Sequence, residues 1–118
     1  MTPPPPAELA HLSDVIGADA TLRLIEAYGG TRLYIPKEPA EDTLLAQVVG
    51  LRAAWAMARP FGGDYLRVPL ARAWRVMVYR GRGDSYAAIA RRLGMTESTV
   101  GKILQAAGAT QKQLSLFP

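Results

Sequence analysis

The segment Tyr86 to Gln105, YAAIARRLGMTESTVGKILQ, constrains this chain more than any other. Ile89, Leu93, Val100, Ile103 and Leu104 recur at helical spacing on either side of a glycine, which predicts two helices joined by a tight turn. Ala90 is small where the helices must cross, Gly94 is free to take the positive φ of the turn, and Val100 returns to the core. This is the pattern of a helix-turn-helix, which offers its second helix to the DNA major groove. An ordinary helical hairpin in a small core is the competing reading.

Charge favours the first. Residues 1–58 carry four Lys and Arg against seven Asp and Glu, whereas residues 59–118 carry ten against three. Arg72, Arg75, Arg80, Arg82, Arg91 and Arg92 lie around the expected recognition helix in sequence, where guanidinium groups can grip phosphates and release condensed counterions. On the exposed face of that helix, Thr96, Glu97, Ser98, Thr99 and Lys102 are the candidate base readers: hydroxyls and Glu suit cytosine or thymine edges, and Lys suits guanine. With a single cation among them, affinity is expected mainly from arginines on phosphates and from a dimer's avidity.

The rest of the chain sets the architecture. The run Pro3 to Pro6 reads as an extended, disordered leader. Residues 7 to 16 and 20 to 28 read as two short helices separated at Gly17, with Leu9, Leu12, Val15, Ile16, Leu22, Leu24, Ile25 and Tyr28 as their apolar faces. A third helix is expected over about residues 40 to 58, with one apolar stripe of Leu44, Val48, Leu51 and Trp55 and another of Leu45, Val49 and Ala56. A surface so apolar needs cover from several sides, either from the first two helices or from a second subunit across a two-fold axis.

Between and after these helices, YGGTRLYIP at 28–36 is echoed by FGGDYLRVP at 61–69. Each predicts a short strand ended by a proline, the two pairing antiparallel within the chain or between subunits. Leu33, Ile35, Leu66 and Val68 point inward, and Tyr34, Tyr65 and Arg67 outward. Gly62 and Gly63 would permit a bend between the dimer core and the DNA-binding lobe. A helix from Leu70 to Tyr79 follows, with Trp74, Val76 and Met77 as core candidates, and then a GRGDS loop with Asp84 or Ser85 as helix cap.

This order of features resembles the Mor/C family of transposable-phage transcription activators. The resemblance spans about residues 20 to 106 and rests on GGDYLRVP at 62–69, the helix after it and the helix-turn-helix pattern at 85–104. It implies an intertwined homodimer that activates phage or prophage promoters by binding double-stranded DNA and contacting RNA polymerase. It also implies that Gly62 and Gly63 form a flexible linker hinge. The family often has Tyr where this chain has Arg67, a residue suited to a phosphate or the minor groove.

A second signal is Gln113, Leu114, Ser115, Leu116 and Phe117. QLSLF resembles the peptide by which bacterial proteins dock on the DNA polymerase sliding clamp, with Leu116 and Phe117 entering an apolar pocket and Gln113 bonding at its rim. An apolar tail packed on its own domain is the other reading. The alternative function is therefore a DNA-binding adaptor recruited to the clamp.

The expected organisation is mainly α: a leader at 1–6, a helical dimerisation region with a short strand at 7–60, a Gly-Gly strand linker at 61–69, a C-terminal helix-turn-helix domain at 70–107 and a flexible tail at 108–118. The chain has no cysteine, and no membrane span or signal peptide is visible, so a soluble protein of a reducing cytoplasm is expected, and the Mor/C resemblance implies a bacterial host cell and its nucleoid. His11 is the only histidine and has no evident partners in sequence, so no enzyme activity, metal or cofactor is expected.

Overall fold

The structure is a computed structural model that describes the backbone of residues 2–115 and the side chains of residues 2–108. The chain is mainly helical with one small two-stranded antiparallel sheet. In order, its elements are α1 (Ala7–Tyr28), β1 (Arg32–Ile35), α2 (Leu44–Val49), α3 (Leu51–Phe61), β2 (Asp64–Arg67), α4 (Arg72–Gly81), α5 (Tyr86–Leu93) and α6 (Glu97–Ser115). They form two compact units, residues 4–71 and the remainder from Arg72, the latter including the start of the chain.

In the unit of residues 4–71, α1, α2 and α3 pack on one another and α3 lies against both strands. α1 is kinked at Gly17 (φ 85, ψ 162), where periodicity predicted a separation. The kink exposes a carbonyl that the buried Thr21 satisfies, its hydroxyl donating to Gly17 O at 2.7 Å. Leu9, Leu12, Leu22, Leu24 and Ile25 are buried, with Val15, Ile16 and Tyr28 half-buried.

The single helix expected at 40–58 is two helices. Thr43 caps α2, its Oγ1 accepting from Ala46 N, and Gly50 (φ 90, ψ 156) ends it. The break shifts the phase of the apolar pattern: Leu45 and Val49 are buried on α2, but on α3 the buried residues are Ala54 and Met57, and Ala56 is exposed. Of the other stripe Val48 is half-buried, while Leu44, Leu51 and Trp55 are 57%, 36% and 50% exposed.

Gly17 and Gly50, Gly29 and Gly62, and Pro36 and Pro69 are each 33 positions apart. The short echo seen in sequence is therefore part of a longer duplication: helix, glycine break, helix, Gly-Gly turn, strand, proline. The backbone repeats with it. Gly30 and Gly63 have φ of 85 and 87, and the N–H groups of Gly29 and Gly62 donate to the carbonyls of Ile25 and Ala58. The copies join about the Leu33–Leu66 pair, in the register Arg32↔Arg67, Leu33↔Leu66, Tyr34↔Tyr65, Ile35↔Asp64. Gly30 N donates to Val68 O, and Gly63 N to Ile35 O, so each turn closes on the other copy's strand.

This pairing is within the chain. Leu33, Ile35 and Val68 are buried and Leu66 half-buried, while Tyr34, Tyr65 and Arg67 face outward, as the alternation predicted.

Gly62 and Gly63 are not placed as a hinge between units. Both lie inside residues 4–71 in a hydrogen-bonded turn. A Cβ on Gly62 would strike the Ala58 carbonyl, so close approach requires glycine there, whereas at Gly63 the φ of 87 requires it, the nearest atom being the mobile Lys37 Cε. The passage between units falls at Ala71, a non-glycine residue with φ 48.

From Arg72 onward, α4, α5 and α6 pack on one another around Trp74, Val76, Val78, Tyr79, Ile89, Ala90, Leu93 and Val100. Met77 is half-buried, and Val78 and Tyr79 extend the core beyond the expected residues. The leader expected to be disordered is engaged here, since Trp74 Nε1 donates to Pro3 O at 3.0 Å. The flexible tail expected from residue 108 is also revised: α6 is helical through Gly108 to Ser115. Of the clamp-like peptide, Gln113, Leu114 and Ser115 fall in that backbone, and Leu116 and Phe117 lie outside the described residues.

Candidate nucleic-acid interface

The turn between α5 and α6 has a definite local cause. Ser85 starts α5, its Oγ accepting from Ala88 N at 3.1 Å; of the two expected caps, the serine serves. Gly94 ends the helix in the left-handed region (φ 66, ψ 41), and the N–H groups of Gly94 and Met95 both donate to Ala90 O. Two residues later Thr96 caps α6, its hydroxyl accepting from Thr99 N at 3.1 Å and lying 3.0 Å from the Thr99 hydroxyl. Helix, left-handed glycine and second helix follow one another where the spacing predicted, with Thr96 as the cap of α6 rather than a residue of its exposed face.

α6 buries one stripe and exposes another. Val100 is fully buried and Ile103, Leu104 and Ala107 are half-buried, at positions i, i+3, i+4 and i+7. Glu97, Ser98, Thr99, Lys102 and Gln105 are exposed. All five residues expected to read bases, Thr96 to Thr99 and Lys102, are exposed, but they are held differently. Thr96 and Thr99 are tied to the cap, Glu97 sits in the first turn where a carboxylate complements the helix dipole, and Ser98 and Lys102, one turn apart, carry the open face.

The arginines are held in different ways. Arg92 lies over the buried Tyr79 ring, 4.4 Å from its centroid. Tyr79 also accepts from Arg75 Nε at its hydroxyl, at 3.2 Å. Arg80 is 5.1 Å from the centroid of Tyr86, and its Nη1 donates to Asp84 O at 3.0 Å. A cation over a ring face gains electrostatic attraction, which helps to position the Arg80 and Arg92 guanidinium groups. Arg82 lies exposed in the loop before α5, and Arg91 is exposed in the last turn of α5 beside Arg92. Arg67 belongs to β2, in the unit of residues 4–71, where it stands opposite Arg32.

No protein-family model, curated protein or solved structure matches this chain.

Its site is accordingly read from its own chemistry. The sequence reasoning missed the aromatic supports: Tyr79 and Tyr86 hold Arg92 and Arg80, and the available signal was a tyrosine spaced near each arginine across the loop. Among the described residues, no helix is long and apolar enough to cross a membrane.

Proposed function

We propose that this chain is a DNA-binding transcription regulator that reads double-stranded DNA with α6. The observation that carries the reading is the α5–Gly94–α6 arrangement, with Ser98 and Lys102 open on one face and arginines fixed on tyrosine rings nearby. Arg80, Arg82, Arg91 and Arg92 bind phosphates; Ser98 and Lys102 contact base edges, with Glu97 beside them and Thr96 and Thr99 shaping the helix start. Activation of a phage or prophage promoter with host RNA polymerase is the form of regulation that the Mor/C resemblance suggests.

The regulator acts as a homodimer in this proposal. The uncovered Leu44, Leu51 and Trp55 support it, and Trp55 also lines an open cleft of about 690 Å³ together with Val15, Ala58, Lys37 and Arg59. Such an interface brings two copies of α6 to one operator.

The test is selection of duplex sites from a random library, followed by titration of the selected site. The proposal expects an enriched sequence; Lys102→Ala weakens that site selectively by about 1–3 kcal/mol, while Arg91→Glu weakens all duplexes together and flattens the salt dependence. No enrichment, with equal affinity in the Arg91→Glu variant, would sink it. A clamp-recruited adaptor remains the second reading, carried by QLSLF alone. Because the backbone is helical through Ser115, an extended docking peptide would require the last turn of α6 to unwind. Loss of clamp binding on removing residues 113–118 tests that reading.

A further inference from the structure

The antiparallel register gives the β1–β2 ribbon an outer face made of four side chains, Arg32, Tyr34, Tyr65 and Arg67, all exposed. The two copies of the duplication carry the pair in opposite order: Arg then Tyr in β1, Tyr then Arg in β2. Had both kept one order, each end of the ribbon would hold an arginine beside a tyrosine. The reversal sorts them instead, so that Arg32 faces Arg67 at one end and Tyr34 faces Tyr65 at the other.

Each end is chemically incomplete. Like charges directly opposite one another destabilise a sheet, and neither arginine has a carboxylate partner among the described residues. Asp64, the ribbon's own acid, belongs to the other face and accepts from Tyr65 N at 2.7 Å. The two arginines, with Thr31 and Pro69, line an open cleft of about 490 Å³. At the aromatic end the Tyr34 and Tyr65 rings meet at 66° with centroids 5.4 Å apart, and are 47% and 61% exposed. Arg32 also leans toward Tyr65, at 5.7 Å from its centroid, which ties the two ends together.

We propose that this face binds single-stranded nucleic acid, with a phosphate between Arg32 and Arg67 and an unpaired base stacked at Tyr34 and Tyr65. A polyanion relieves the arginine pair, and exposed ring faces pair with base faces that only an unstacked strand offers. Strands of four residues span roughly 13 Å, enough for a short stretch of strand and too little to track a duplex. The inference rests on residues 4–71 alone and is independent of the reading of α6.

The experiment is fluorescence anisotropy of the full-length protein with a labelled oligothymidylate of about twelve nucleotides, with a hairpin duplex and thymidine monophosphate as competitors. Wild type binds the single strand in preference to both competitors. The Tyr34→Ala/Tyr65→Ala variant binds it about tenfold or more weakly, while Tyr34→Phe/Tyr65→Phe keeps most of the affinity. Arg32→Ala/Arg67→Ala lowers the dependence on salt. Circular dichroism checks that the variants fold. Should the alanine pair unfold, photo-crosslinking of wild type to an iodouracil-substituted strand decides, with adducts expected at Tyr34 or Tyr65.

Equal binding by a folded alanine pair, equal loss in the phenylalanine pair, equal competition by the duplex or the mononucleotide, or crosslinks only elsewhere would each overturn the proposal. Arg91→Glu weakens duplex binding if α6 reads DNA but leaves the tyrosine dependence intact, so the two readings fail separately.

Discussion

At the scale of single residues, the glycines divide by what constrains them. Gly17 and Gly50 share a backbone conformation open essentially to glycine alone, and a Cβ on either would meet nothing within 4 Å. Gly17→Ala or Gly50→Ala therefore costs strain rather than collision, about 1–3 kcal/mol each, measured as a fall in the urea midpoint at unchanged slope. Gly101 is the reverse case. It sits in α6 at an ordinary helical position, and a Cβ there would reach Tyr86 Cε2 at 3.6 Å, a normal contact. Gly101→Ala should stabilise the protein by about 0.5–1 kcal/mol in the same assay. Nothing in the residue type separates these glycines; the backbone each one serves does.

At the scale of elements, the sequence was most legible where chemistry punctuates it. β1 and β2 were readable because alternation of period two and a closing proline leave little else for RLYIP and YLRVP to form. α5 and the start of α6 were readable because a serine cap, a turn glycine and the apolar spacing of Val100, Ile103 and Leu104 mark them, whereas Thr96, read as a base contact, proved to be the cap of α6. Ser85→Ala should accordingly cost about 1 kcal/mol, seen as a lower melting temperature with the rest of the fold intact. The helix over 40–58 was over-read because one glycine in an apolar helical pattern costs only ~1 kcal/mol, so periodicity alone does not reveal a break. Gly50 breaks it, and the phase change places Met57 rather than Ala56 in the core. The arginine and tyrosine ends of the ribbon were equally hidden, since each strand shows only its own alternation and the register decides which side chains meet.

At the scale of the whole molecule, the exposed stripe gives the cleanest prediction. Leu44→Asp/Leu51→Asp alters surface positions in a monomer, where such changes stay within about ±0.5 kcal/mol, but it would place charges in a dimer interface. Light scattering coupled to size-exclusion chromatography should show a dimer for wild type and a folded monomer for the variant; a wild-type monomer at micromolar concentration would remove the dimer. The sequence by itself determined that the chain is mainly helical, that two short strands follow two Gly-Gly pairs, and that a capped helix pair follows Trp74, because caps, prolines and hydrophobic period act over a few neighbours. The tertiary structure alone decided that the strands pair within one chain, that the Gly62-Gly63 turn lies inside one unit rather than between units, and that Arg67 stands opposite Arg32. Those outcomes depend on which distant residues are brought together, and no local preference encodes that.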